Sequence, residues 1–230
     1  MVKRFFDFSV SLLGLLLLSP LFIVVGMMIK ISSSGPVFFR QRRVGKGFRP
    51  FDIYKFRTMA AGAMEAGPSI TVGEGPRITP LGRRLRGLKI DVFPQLINVL
   101  KGEMSLVGPR PELPGSVERF KEDYKVILKV LPGITDLASI AFRNESAQLA
   151  RSENPEQFYI ESILPKKLKL AKSYVQNQSL SLDLKILFAT FVTVFLSLSS
   201  PFKEEKVEEK KRVRELILDF RTPIIFLLHF

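Results

Sequence analysis

The chain has 230 residues, enough for one domain with appendages, and its 35 Lys and Arg outnumber 22 Asp and Glu, giving a formal net charge of +13. This charge predicts an anionic partner, either nucleic acid, an anionic membrane surface or a phosphorylated substrate, and the long apolar runs that hold most phenylalanines favour the membrane. The absence of cysteine excludes disulfides, thiolate chemistry and cysteine metal sites, and a single histidine, His229, argues against a Ser-His-Asp triad or a histidine metal site.

The first segment is an apolar run from Phe8 to Ile29, long enough to cross about 30 Å of hydrocarbon as a helix. Ser19-Pro20 stands in its middle, where proline removes a backbone hydrogen bond and a serine hydroxyl can serve the freed carbonyl. Both flanks are basic, which favours one cytoplasmic side for both ends. We therefore predict a re-entrant helix–break–helix, with a bent spanning helix or a cleaved signal peptide as the alternatives. Asp7 is expected to pair with Arg4 near the interface.

The next segments predict a hairpin, a loop and a helix. Residues 37–57 contain two β-prone runs joined by Gly45-Lys46-Gly47, typical of a β-hairpin. Residues 60–77 are rich in Ala, Gly and Pro and predict a mobile loop. Thr79-Pro80 then begins a helix that continues to Leu88 and carries several arginines.

Residues 92–101 place apolar side chains at helical spacing, with Pro94 suited to the first turn. Asp91 is then predicted at the helix N-cap, where backbone N–H groups and the helix dipole favour an anion and would help to hold phosphate. Spacing alone leaves two interpretations open, because Asp91 can be a catalytic carboxylate or only a cap.

The C-terminal half predicts further helices. Residues 116–131 form one amphipathic pattern, and residues 145–175 form two that are separated near Pro165. Residues 186–198 are apolar but short, which indicates an interfacial or core helix. Residues 203–215 predict a solvated helix or linker, and the apolar end predicts a surface anchor or the start of a fused region. Three parts follow: a membrane hairpin at 1–33, a main domain at 34–200 and an appendage at 201–230.

Several motifs occur together and in order over about residues 1–195, and jointly they resemble the bacterial initiating sugar transferases, which are monotopic polyprenyl-phosphate phosphoglycosyl transferases. The motifs are Lys3-Arg4-Phe-Phe-Asp7, the apolar segment with Ser19-Pro20, Pro36-Val-Phe-Phe-Arg-Gln41-Arg-Arg43-Val-Gly45, Tyr54-Lys55-Phe56-Arg57-Thr58-Met59, Asp91-x-x-Pro94-Gln95-Leu96-x-Asn98, Gly102-Glu-Met-Ser105, Gly108-Pro-Arg-Pro111 and Pro132-Gly133-Ile134-Thr135.

The resemblance implies a mainly α fold with a short β-hairpin, held on the bacterial inner membrane by a re-entrant N-terminal hairpin and interfacial amphipathic helices, with its catalytic face in the cytoplasm. It implies transfer of a sugar 1-phosphate from a UDP-sugar to polyprenyl (undecaprenyl) phosphate, with release of UMP and initiation of envelope glycoconjugate or exopolysaccharide synthesis. The expected partners are UDP-sugar, polyprenyl phosphate and membrane lipid, without nucleic acid; a homo-oligomer is left open.

The family's mechanism assigns roles to particular residues. Asp91 matches the nucleophile that forms a covalent phosphosugar intermediate and that acts with Mg2+, so it is also the expected metal ligand. Arg110 is expected to clamp phosphate, although a structural salt bridge is the alternative. Three further cations are expected at phosphate or substrate, again with salt bridges as the alternative: Lys55, Arg57 and Arg143.

The chain departs from the family pattern at two positions. Val92 stands where the family has the second acid of an Asp-Glu pair, and Asp136 stands where it usually has glycine. Glu103, Asp136 or Glu145 is expected to supply the second acid. The alternative is an inactive relative that acts as a membrane scaffold or regulator in polysaccharide assembly. The motifs do not encode which sugar is transferred.

Overall fold

The computed structural model describes residues 1–60, 78–143 and 145–199, without the side chains of 146, 147 and 195–199. The predicted loop at 61–77 and the predicted segments after residue 200 lie outside these residues. The described chain is mostly helical with two small sheets. The helices are α1 Val2–Ser32, α2 Pro80–Gly87, α3 Gln95–Lys101, α4 Pro114–Arg119, α5 Lys121–Ile127, α6 Leu137–Ala141, α7 Glu145–Leu149, α8 Pro155–Phe158, α9 Leu164–Gln176 and α10 Leu180–Ser199. The strands are β1 Phe38–Val44, β2 Pro50–Phe56, β3 Ser105–Val107 and β4 Gly133–Thr135.

Helix α1 has 31 residues, and among the described helices it alone is long and apolar enough to cross a membrane by length and composition. The predicted break is not confirmed, because the helix continues through Pro20. Proline leaves the carbonyl of Leu16 without its usual N–H partner, and the Ser19 hydroxyl donates to that oxygen at 2.8 Å. Ser19 therefore serves the freed carbonyl as expected, while the chain stays helical.

The N-terminal end of α1 is fixed to the rest of the protein by polar contacts. Arg4 donates to the carbonyls of Val99 and Leu100 at the end of α3, at 2.6 and 3.1 Å. The buried Asp7 carboxylate accepts from the Leu106 N–H at 3.2 Å. The expected pairing of Asp7 with Arg4 is therefore wrong. Arg4 instead donates to carbonyls at the end of α3, and Asp7 accepts from an N–H of β3. These main-chain groups have no partner within their own element.

The C-terminal end of α1 packs on the same domain through apolar contacts. Val25 and Ile29 are buried in one cluster with Phe56 from β2 and Leu85 from α2. Between its two ends the helix exposes large apolar side chains, including Leu13, Leu16, Leu17, Ile23 and Val24. Helix α1 thus presents an apolar outer face while both of its ends are attached to one body.

The predicted hairpin is confirmed: β1 and β2 pair antiparallel, with Val44 opposite Pro50 at the turn. The turn needs positive φ at Gly47 and at Phe48, 65° and 61°. The buried Asn98 amide connects this hairpin to α3, because its oxygen accepts from the Tyr54 N–H and its nitrogen donates to the Asp52 carbonyl. These bonds hold β2 beside the segment that carries Asp91.

A second sheet, which the sequence analysis did not predict, pairs β3 with β4 in parallel. Strand β3 continues into Gly108, and strand β4 begins with Gly133. A Cβ atom at either glycine would collide with main-chain atoms of the other segment. This close approach fixes the turn that follows β3, which carries Arg110.

The predicted helix at Thr79 is confirmed as α2, with the Thr79 hydroxyl accepting from the Gly82 N–H at 2.9 Å. The single helix predicted at 116–131 is instead α4 and α5, because Phe120 leaves the helical region at φ −118° and ψ 39°. The two helices predicted at 145–175 are three, and a π-helical turn at Tyr159–Ile163 joins α8 to α9 just before Pro165. Apolar periodicity does not reveal such interruptions.

The apolar segment at 186–198 lies within α10, which buries Ile186 and Ala189 and exposes Leu184, Phe188 and Phe191. Its one buried acid, Asp183, accepts from Lys3 of α1 at 2.5 Å and from the Tyr174 hydroxyl of α9 at 2.6 Å. Both donors also reach the carbonyl of Val107. Three helices and the end of β3 therefore share one polar junction.

Candidate active site

Asp91 lies in a short 3-10 turn, Ile90–Val92, rather than at a helix N-cap. The predicted cap is wrong because α3 begins only at Gln95, after Pro94. Lys89 enters the turn in the left-handed region, at φ 57°. The main chain therefore turns sharply before Asp91, and Asp91 does not cap the N-terminus of α3.

The charges of three cations act on the half-buried Asp91 carboxylate: Lys55 from β2, Arg86 from α2 and the preceding Lys89. Both β2 and α2 pack against the turn that contains Asp91. Burial raises the pKa of Asp91 above its ordinary value, and the charges of Lys55, Lys89 and Arg86 oppose that rise, in that order of strength. Asp91 is thus a partly desolvated carboxylate in a positive setting, which suits a group that must meet an anion.

Lys55 connects Asp91 to a second group of cations. Burial lowers the pKa of Lys55 to about 7, and Arg110, Arg43 and Arg86 lower it as well, while Asp91 raises it. Strand β2 also packs against the turn Ile90–Val92 that contains Asp91. Lys55 and Asp91 therefore come from elements in contact, and the place of Arg110 in the same site stays a prediction.

Arg86 is held by Thr58, two residues after the end of β2. Its Nε donates to the Thr58 hydroxyl at 2.9 Å, and α2 approaches Thr58 so closely that a Cβ atom on Gly82 would collide with the Thr58 carbonyl. Burial lowers the pKa of Arg86 and Asp91 opposes that shift. The sequence analysis placed Arg86 only among basic residues upstream of Asp91, and its contact with Thr58 could not be read from sequence.

Arg110 stands exposed on the turn after β3, where the Gly133 N–H donates to the Pro109 carbonyl at 2.9 Å. Desolvation lowers the pKa of Arg110, but the carboxylates of Glu112, Asp136 and Glu145 outweigh it and the net pKa is raised. Arg110 lines a small open cleft. The cleft is also lined by Glu112, Tyr124, Asp136, Leu164 and Lys167.

Glu112 and Arg43 are site residues for which the sequence analysis assigned no role. Glu112 is buried, lies 3.8 Å from Arg43 and accepts from the Tyr159 hydroxyl at 3.3 Å. Arg43 also donates to the Pro111 carbonyl at 3.2 Å, which fixes the chain just after Arg110. A signal was present, because Arg43 lies within one family motif and Glu112 directly follows another.

The family model described as bacterial sugar transferase matches residues 1–197. The chain belongs to the bacterial sugar transferase family. The family assignment made from the motifs is confirmed.

Relatives of this sugar transferase carry related names. One from Aeromonas hydrophila, named UDP-N-acetylgalactosamine-undecaprenyl-phosphate N-acetylgalactosaminephosphotransferase, is 37% identical over 84% of this chain and 43% of its own length. One from Escherichia coli, named UDP-glucose:undecaprenyl-phosphate glucose-1-phosphate transferase, is 35% identical over 86% and 41%. Exopolysaccharide production protein ExoY of Sinorhizobium fredii is 34% identical over 86% and 87%. The chain thus spans less than half of the first two relatives and most of the third.

None of the three acids expected to replace the family's second acid lies beside Asp91 in the described part of this transferase. Glu103 accepts from the Asn98 amide at 2.7 Å, beyond the other end of α3. Asp136 caps α6 by accepting from the Ser139 N–H at 2.8 Å. Glu145 forms an ion pair with Lys167. Asp136 and Glu145 belong to the surroundings of Arg110.

The two remaining predicted cations are placed differently. Arg57 is buried at the end of α1, where its Nη2 donates to the Ser33 carbonyl at 2.7 Å and hydroxyl at 3.0 Å. Arg143 is exposed just after α6. Arg57 is directed to the membrane helix, and its expected substrate role stays a prediction, as does that of Arg143.

The expected Mg2+ can be tested against the donors around Asp91. Mg2+ prefers octahedral oxygen ligands, often one or two carboxylates with substrate phosphates. The described residues supply one carboxylate at this point, Val92 offers no ligand atom, and Lys55, Arg86 and Lys89 repel a dication. The described residues also contain no cluster of three acids or histidines able to hold a metal. This donor set does not fit a resident Mg2+.

Proposed function

We propose that this transferase moves a sugar 1-phosphate from a UDP-sugar to undecaprenyl phosphate and so initiates exopolysaccharide or related glycoconjugate synthesis. The names of the Aeromonas hydrophila and Escherichia coli relatives support this donor and acceptor. The observation that carries the proposal is the position of Asp91, a half-buried carboxylate in a turn against which β2, with Lys55, and α2, with Arg86, are packed.

The proposed reaction has two displacements at one phosphorus atom. An Asp91 carboxylate oxygen attacks the β-phosphorus of the UDP-sugar, the bond from that phosphorus to the bridging oxygen breaks, and UMP leaves with the oxygen. A phosphate oxygen of undecaprenyl phosphate then attacks the aspartyl phosphosugar and restores the carboxylate. Covalent catalysis lets a soluble donor and a lipid acceptor use the same carboxylate in turn.

The cations around Asp91 have two tasks in this reaction. Lys55 and Arg86 would neutralise the equatorial oxygens of the transferring group, which otherwise repel the attacking carboxylate. Arg110 would bind a further phosphate oxygen, and its exposed side chain leaves room for a substrate to enter. Burial of Asp91 strengthens these interactions because water screens them less.

We also propose that the protein is monotopic on the cytoplasmic face of the inner membrane, as the sequence analysis expected. Helix α1 is bound near Arg4 to α3 and near Ile29 to β2 and α2, so both of its ends attach to one domain. A helix that crossed the bilayer would leave one end on the far side. The apolar side chains exposed by α1 and α10 would enter the lipid, as expected for interfacial helices.

A UMP-release assay with a panel of UDP-sugars and undecaprenyl phosphate tests the function. We expect Asp91→Asn to lose activity by a factor of about 10^3 or more, because an amide cannot act as the nucleophile. Asp52→Asn is the matched control: its carboxylate forms an exposed ion pair with Arg42 and should be dispensable. Full activity of Asp91→Asn would refute the assignment of the nucleophile.

Val92 favours one second candidate, an inactive family member that serves as a scaffold or regulator of polysaccharide assembly. Such a protein would release no UMP from any UDP-sugar, although it would still bind membrane. Turnover of any donor in the same assay excludes this role.

A further inference from the structure

We propose that basic side chains at Asp91 take over the task that the resemblance assigns to Mg2+, so that this family member transfers sugar phosphate without a divalent metal. The residues are Lys55, Arg86 and Lys89, whose charges act on Asp91, and Arg110, whose charge acts on Lys55. The inference rests on the proposed function and concerns how the same site handles the charge of its substrates.

The first step in the argument is the arrangement of the acids. The carboxylate that precedes Val92 has no second acid beside it among the described residues, and each candidate replacement is bound elsewhere. Glu103 lies on the opposite end of α3, and Asp136 is held by the start of α6. A metal site at Asp91 would therefore depend on a single protein carboxylate.

The second step is the arrangement of the cations. Strand β2, which carries Lys55, and helix α2, which carries Arg86, both pack against the turn Ile90–Val92 that contains Asp91. The charges of these two residues and of the adjacent Lys89 act on the Asp91 carboxylate, and two of the three side chains are held in place. Lys55 lies within the paired strand β2, opposite Phe39, and Arg86 is oriented by its bond to Thr58. Convergence from separate elements indicates a built site rather than a basic helix face in solvent.

The third step is that the chemistry needs charge neutralisation but no proton donor. The leaving group is UMP, a phosphate monoester whose second pKa is about 6, so it departs at neutral pH without being protonated. Undecaprenyl phosphate likewise attacks as an anion. A second carboxylic acid is therefore dispensable for proton transfer, and fixed cations can stabilise the transferring phosphoryl group.

The test is a comparison of initial UMP-release rates of the full chain in undecaprenyl phosphate-containing lipid nanodiscs, with EDTA and with added Mg2+. We expect equal rates under both conditions. Loss of activity in EDTA with recovery in Mg2+ would overturn the inference while leaving the proposed function intact. Absence of UMP release under every condition would instead refute the proposed function and, with it, this inference.

Variants and a binding measurement make the test independent of one rate. Lys55→Met should lose a factor of about 10^2 or more, Lys55→Arg should recover part of that loss, and Lys46→Met, in the exposed hairpin turn, should change nothing. Titration calorimetry with Mg2+ alone should show no binding that depends on Asp91 in the wild type. Val92→Glu should create such binding; a wild-type signal abolished by Asp91→Asn would contradict the proposal.

Discussion

At the scale of single residues, Lys55 joins the two parts of the site. Its ammonium is affected by the charges of the acid that would attack phosphorus and of the arginine on the turn after β3, and by those of Arg43 and Arg86 as well. Crowding by like charges and burial both disfavour its protonated form, whereas Asp91 favours it. The site therefore holds a cation whose charge depends on pH near neutrality.

This position predicts a pH dependence of kcat/KM. Burial lowers the pKa of Lys55 to about 7, so the free enzyme loses this charge as the pH rises through that value. We expect kcat/KM for the UDP-sugar to fall above pH 7, since the neutral amine cannot stabilise phosphate. Lys55→Arg should move this alkaline limb to higher pH, because guanidinium stays protonated. An unchanged limb in that variant would assign the titration to another group.

The site residues differ in how visible they are in the sequence. Asp91 and Arg110 stand in motifs that carry chemical meaning, and the charges of both act on Lys55. The roles of Arg86 and Glu112 depend on partners distant in sequence, Thr58 and Tyr159, so no local pattern reveals them. Arg57 shows the reverse case: its motif suggests substrate, while its hydrogen bonds are to Ser33 at the end of the membrane helix.

At the scale of secondary-structure elements, the predictions were confirmed where the residues that determine an element are adjacent in sequence. The β1–β2 hairpin follows from alternation and a glycine turn, and α2 follows from Thr79-Pro80. The predicted start of α3 was wrong because Lys89, in the left-handed region, and the 3-10 turn precede the helix. Apolar periodicity detects neither feature. The parallel pairing of β3 with β4 joins segments far apart in sequence and depends on the approach of Gly108 to Gly133.

At the polar junction of α1, α9 and α10, we expect a single substitution of Asp183 to lower the stability of the protein strongly. Asp183 is almost fully buried and receives both Lys3 and Tyr174. Asp183→Asn would leave the Lys3 ammonium without its counter-charge, and we expect it to lower the free energy of unfolding by roughly 3 kcal/mol. Equilibrium denaturation in detergent micelles measures this loss.

Asp123→Asn is the control for that measurement. Asp123 of α5 forms an ion pair with Lys172 of α9, and both side chains are about one-third exposed. Such a pair contributes below about 1 kcal/mol, so this variant should unfold almost like the wild type. Equal losses in the two variants would show that Asp183 has no special position at the junction.

At the scale of the whole molecule, α1 sets the relation between the site and the membrane. Its two ends rest on opposite parts of one domain, and the apolar face between them has no protein cover among the described residues. The composition and length of this helix were evident from the sequence. The continuity of the helix through Pro20 was not, because an interior proline fits either a break or a bent but continuous helix.

This arrangement predicts that both ends of α1 lie on the same side of the bilayer. The chain contains no cysteine, so single cysteines at the exposed positions Val2 and Ser34 report each end cleanly. In inverted membrane vesicles, an impermeant maleimide should label both variants without detergent. Labelling of one variant alone would instead establish a helix that crosses the membrane.

The covalent intermediate is the central claim of this account, and intact-protein mass spectrometry tests it most directly. The protein is mixed with UDP-glucose or UDP-N-acetylgalactosamine in the absence of acceptor. We predict a mass gain of one sugar phosphate, located on Asp91 after digestion and removed when undecaprenyl phosphate is added. The Asp91→Asn protein should gain no mass. Turnover without any adduct, or an adduct that persists in Asp91→Asn, would contradict the account.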